Sequence, residues 1–86
     1  MIQDIEKFIK SLKRRKTVTN LDVRDYPNDK DFEFYYSIIG YINKKYFHLN
    51  FFRIYSETTL KTHNTTDCKE EISKIMAKFN LTEIEK

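Results

Sequence analysis

Phe32-Glu33-Phe34-Tyr35-Tyr36-Ser37-Ile38-Ile39-Gly40-Tyr41-Ile42-Asn43-Lys44-Lys45-Tyr46-Phe47-His48-Leu49-Asn50-Phe51-Phe52 is the stretch that decides the fold. Aromatic and β-branched residues recur at every second position, the period of a strand. Phe32, Phe34, Tyr36, Ile38 and Ile42 fall on one face, and Asp31, Glu33, Tyr35, Ser37, Ile39 and Tyr41 on the other. Asn43-Lys44 reads as a tight turn. A two-residue loop there pairs Ile42 with Lys45 and sets Gly40 opposite Phe47, Ile38 opposite Leu49 and Tyr36 opposite Phe51, so one apolar face runs across both strands. Gly40 then leaves space for the Phe47 ring or marks a bulge. The same register puts Tyr41 beside Tyr46, Ile39 beside His48, Ser37 beside Asn50 and Tyr35 beside Phe52. That second face has neither the composition of a core nor that of a solvated surface.

Beyond Phe51-Phe52 the alternation changes phase, which predicts a bulge or bend near Arg53 before Ile54, Thr58 and Leu60 carry the chain onward. Residues 56–63 either continue that strand or form a short fourth one. Upstream, Thr19, Leu21 and Val23 alternate with Asn20, Asp22 and Arg24 as a half-buried strand, closed by a turn at Tyr26-Pro27-Asn28-Asp29. Ile2, Ile5, Phe8, Ile9 and Leu12 have helical spacing and predict an amphipathic first helix. Asp67 with Glu70 three residues on reads as a capping box for a last helix whose stripe is Ile72, Ile75, Met76 and Phe79. Asn80 closes that helix, and Leu81 and Ile84 add a final turn. The expected fold is α+β: one domain over residues 1–86, a helix, a three- or four-stranded antiparallel meander and a C-terminal helix. Both helices cover the sheet face of Leu21, Val23, Phe32, Phe34, Ile38, Leu49 and Phe51.

Eighty-six residues give a thin core unless its side chains are large. Seven Phe and six Tyr supply that bulk. A single cysteine, Cys68, speaks against a disulfide framework and for a reducing, cytoplasmic setting. No segment reaches the length of a membrane-spanning helix, so membrane insertion is not expected. The richness in Lys, Ile, Asn, Phe and Tyr suggests an AT-rich coding sequence. The net charge of +3 is unevenly spread, because residues 1–16 hold six bases against two acids and four of those bases form the run Lys13-Arg14-Arg15-Lys16.

No catalytic motif is present, and one Gly excludes glycine-rich phosphate loops. His48, His63, Asp67 and Cys68 are a conceivable metal or Cys-His set, but His63 falls in a polar turn, Asp67 reads as a helix cap and Cys68 as a small buried residue starting the helix stripe. No enzyme activity, metal, cofactor or small-molecule substrate is therefore expected. The aromatic second face, with Tyr35, Tyr41, Tyr46, His48 and Phe52, is the expected partner-binding surface, engaging a protein or a second copy of the chain. The alternative is a nucleic-acid-binding module that stacks bases on those rings and contacts phosphates through Lys13, Arg14, Arg15 and Lys16.

The order helix, strands, helix resembles that of double-stranded-RNA-binding domains in topology and length. Such domains carry lysines where the last helix starts, whereas here that point reads Asp67-Cys68-Lys69-Glu70-Glu71, with acids where phosphate contacts would belong. The resemblance thus implies a chain order, not a function. Size, composition and the lack of catalytic motifs are also similar to those of phage and mobile-element inhibitors of bacterial defence complexes, such as anti-CRISPR proteins. That resemblance implies a rigid surface that blocks a larger machine.

Overall fold

The computed structural model describes residues 2–26, 32–54, 61–66 and 68–81, with the backbone alone for 61–66. In chain order the elements are α1 (Ile2–Arg14), β1 (Val18–Asp25), β2 (Phe32–Ile42), β3 (Lys45–Ile54), β4 (Lys61–Thr66) and α2 (Lys69–Ala77). The strands form one antiparallel sheet in the order β1-β2-β3-β4, so sequence neighbours are spatial neighbours throughout. β4 pairs with β3 from Phe52↔Lys61 to Phe47↔Thr66, which makes it a separate fourth strand. The turn expected at 26–29 beyond Tyr26, and the onward positions Thr58 and Leu60, lie outside the described residues.

The β2–β3 hairpin has the register that its sequence requires: Ile42↔Lys45, Gly40↔Phe47, Ile38↔Leu49 and Tyr36↔Phe51. Asn43 and Lys44 have φ of 51° and 66°, the left-handed pair of a type I′ turn, whose twist matches that of the strands. No bulge interrupts this ladder at Gly40. The Phe47 ring occupies the space a side chain would take, with Cζ 3.1 Å and the Thr19 carbonyl oxygen 3.3 Å from where a Cβ would stand.

The irregularity beside Gly40 belongs to β1. Thr19 pairs with Tyr41 and Asp22 with Ile39, so Asn20 and Leu21 together face Gly40, and Asn20 takes a left-handed φ of 53°. The extra residue changes the phase of the strand. Val18 and Leu21, three apart, both reach the core, while Thr19, expected alongside Leu21 and Val23, is exposed.

A second bulge corrects the expected placement of Phe32. Phe32 pairs with Ile54 and Phe34 with Arg53, which leaves Glu33 as the inserted residue. The phase shift read near Arg53 is therefore real, but the insertion sits on β2. It turns Phe32 away from the helices and onto the other face of the sheet, beside Tyr35 and Phe52 at 5.3 and 5.4 Å. The Glu33 carboxylate accepts hydrogen bonds from Arg53 Nε at 2.6 Å and Nη2 at 2.5 Å, and that guanidinium lies 5.5 Å from the centre of the Phe34 ring.

Both helices cover the face of Leu21, Val23, Phe34, Ile38, Leu49 and Phe51, where Tyr36, Ile42 and Phe47 join the core. Ile5, Phe8, Ile9 and Leu12 bury the inner stripe of α1, whereas Ile2 stays exposed at its start. Phe8 is the keystone, edge-on to Phe51 at 5.8 Å and to Phe79, just past α2, at 6.2 Å. α2 starts after Cys68, the N-cap position, so the expected cap residue Asp67 precedes it and lies outside the described residues. Cys68 is buried, with Sγ within 3.8 Å of the Lys45 carbonyl oxygen and 3.7 Å of that of Tyr46. At the far end Asn80 adopts φ 59°, and the N–H groups of Asn80 and Leu81 donate to the carbonyls of Ala77 and Met76, a Schellman closure. Leu81 is buried, as the apolar residue of that motif should be, and Ile84 lies outside the described residues. Among the described residues no helix is long and apolar enough to cross a membrane.

Candidate functional site

Because both helices lie on one face, the other face of the sheet carries no described element. The pleat sends alternate side chains there. Tyr41 pairs with Tyr46, Ile39 with His48, Ser37 with Asn50 and Tyr35 with Phe52, so all five residues singled out as a binding surface share this face. They fall into two groups. Tyr41 and Tyr46 stand edge-on at 5.7 Å beside the hairpin turn, exposed at 38% and 37%. Tyr35 and Phe52 stack at 5.5 Å toward the other end, some six residues or about 20 Å along the strands. His48 lies between them, its Nε2 hydrogen-bonded to Ser37 Oγ at 3.3 Å.

The second group is larger than expected from sequence. Phe32 joins it through the Glu33 bulge, and Tyr26 stands edge-on to Tyr35 at 5.9 Å. Tyr26 is positioned by its N–H, which donates to the Tyr35 carbonyl at 2.9 Å. Tyr26, Phe32 and Tyr35 line a groove of about 360 Å³ together with Ser37, His48 and Asn50, so that aromatic and polar side chains share it. Asn50 is only 8% exposed and lines that groove. The signal for Phe32 was the phase change beside it, which is readable in sequence but not assignable to a strand.

The charge pair described on this face lies on β1. Arg24 and Asp22 pair at 3.6 Å, and hydrogen bonding to Tyr26 together with the Asp22 charge holds the Arg24 guanidinium above its ordinary pKa. On the helix side of the sheet, opposite Phe34, Arg53 is engaged by Glu33, and the Arg53 hydrogen bond holds the Glu33 carboxyl below the usual range. Lys45, on that same side, pairs with Glu71 of α2 at 3.6 Å.

The basic run lies on the other side of the molecule. Lys13 and Arg14 end α1, and Arg15 and Lys16 lead into β1. Arg14 and Arg15 line a groove of about 460 Å³ with Lys7, Lys10, Ser11 and Phe79, while Lys13 and Lys16 do not. A ligand using both this groove and the rings would have to pass around the edge of the sheet. Cys68 and His48 are likewise on opposite faces, which separates two members of the metal set considered from sequence, and the His63 side chain and Asp67 lie outside the description. No protein family, curated protein or solved structure matches the chain.

Proposed function

We propose that this protein is a non-enzymatic binding module that engages a protein partner through the sheet face that no described element covers, with Tyr35, Tyr41, Tyr46, His48 and Phe52 as anchors. The supporting observation is that both helices share one face, leaving the other with a row of Tyr and Phe rings, among them Tyr41 and Tyr46 at more than a third exposed. Such rings supply large contact area at low entropic cost and dominate interface energetics. On this face the Arg24 charge is paired with Asp22, which favours a protein over a phosphate backbone there. The narrower reading, an inhibitor of a bacterial defence complex of the anti-CRISPR kind, is supported by size and composition, and the identity of the partner decides it.

The experiment is capture from a nuclease-treated bacterial lysate with wild-type protein and with Tyr41→Ala, alongside sedimentation of the purified chain. A stoichiometric protein, or a dimer, that is lost with Tyr41→Ala is the expected result. Recovery of the same partner by both proteins, or recovery of nucleic acid alone without nuclease, overturns the proposal.

A further inference from the structure

The groove on the helix side is a second site that the aromatic face does not use, and we infer that it binds the phosphodiester backbone of a nucleic acid. Lys7, Lys10, Arg14 and Arg15 line it, and no acid does. Lys7, Lys10 and Arg14, three and four residues apart, lie along one side of α1, and Arg15 follows its last residue. Among the described residues none of the four makes an ion pair, and Arg15 Nε is buried without a hydrogen-bond partner. An unsatisfied buried guanidinium nitrogen is costly, and an anion in the groove that the Arg15 side chain lines would offset that cost through its charge.

The dimensions suit a phosphate chain. From Lys7 to Arg14 the helix rises about 10.5 Å, which spans about three steps of one DNA strand at about 3.4 Å each. Arginine pairs are suited to phosphate because the guanidinium fork donates two parallel hydrogen bonds. Phe79, half-buried against Phe8, gives the groove an apolar wall. Dipole complementation at the end of α1 accounts for Lys13 and Arg14 but not for Lys7 and Lys10, which lie a turn or more earlier. The inference is independent of the protein-binding face, because the two lie on opposite sides of the sheet.

The test is fluorescence anisotropy of the full chain with a labelled 14-base-pair DNA duplex in two unrelated sequences, titrated between 50 and 200 mM salt. Four phosphate contacts predict a log–log salt slope of about −3 to −4, hence about a hundredfold loss of affinity over that range, equal for both sequences. The double variant Arg14→Gln/Arg15→Gln should bring the slope to about −2. Lys7→Gln/Lys10→Gln, at exposed positions, should do the same and covers the case in which loss of Arg15 disturbs the fold. Lys13→Gln should reduce the slope less, and Tyr41→Ala should leave it unchanged. Failure to bind at 50 mM salt, a slope insensitive to both groove variants, or equal binding to poly-glutamate of matched charge overturns the inference.

Discussion

Tyr35 and Phe52 stand directly opposite each other on neighbouring strands with their rings stacked, centroids 5.5 Å apart and planes 18° from parallel, on the side of the sheet away from both helices. Stacked rings on a face that no described element covers contribute to the fold and also present a flat apolar surface. Stability and binding can therefore be separated along the same row of residues.

Tyr41→Ala removes a ring at the exposed end of that row and should change stability by less than about 1 kcal/mol, whereas Phe52→Ala removes the stack and an edge contact with Phe32 and should cost about 1–2 kcal/mol. Both should lose partner or dimer binding while keeping the wild-type circular dichroism. Loss of the helical signal in either variant would show that the ring belongs to the core.

Gly40→Ala should destabilise the protein by about 1–3 kcal/mol, as overpacking does, and lower its Tm by several degrees. The added Cβ meets the fully buried Phe47 ring at 3.1 Å and the backbone oxygen of Thr19 at 3.3 Å, and neither can retreat freely. Thermal melts compared with wild type measure this, and an unchanged Tm would mean the β1 bulge yields.

Lys44→Gly should stabilise the hairpin by up to about 1 kcal/mol, because Lys44 holds a left-handed φ of 66° that glycine adopts without strain. Urea denaturation should show a higher midpoint at unchanged slope. A lower midpoint would mean that the added freedom of glycine in the unfolded chain outweighs the relief of strain.

The Glu33–Arg53 pair predicts an acid-sensitive contribution. The folded-state pKa of Glu33 is depressed by the Arg53 hydrogen bond, so its stabilisation is present above the unfolded carboxylate pKa and is lost as pH falls through the depressed folded value. Arg53 stays charged throughout, its pKa being raised by the same hydrogen bond. Glu33→Gln should therefore be less stable than wild type at pH 7, with the difference shrinking at pH 2–3. A difference constant with pH would show that the pair contributes nothing through ionisation.

Alternation between Phe32 and Phe52, with Asn43-Lys44 in the middle, was enough to fix the hairpin, its register and most of the residues that share the ring-bearing face, because the two-residue turn sets the pairing and a period of two then aligns the apolar sides. The helical stripes of Phe8 and Ile72 followed from spacing in the same way. Tertiary structure decided what depends on more than one strand. The bulges at Asn20 and Glu33 arise from how β1 and β3 meet β2, and the second moves Phe32 from the expected core to the open face. Whether the rings were covered depended on both helices choosing one side of the sheet. The basic side of α1 was legible as spacing, but its junction with Phe79 required the end of α2 to lie beside α1, a contact between residues far apart in the chain that no local pattern encodes.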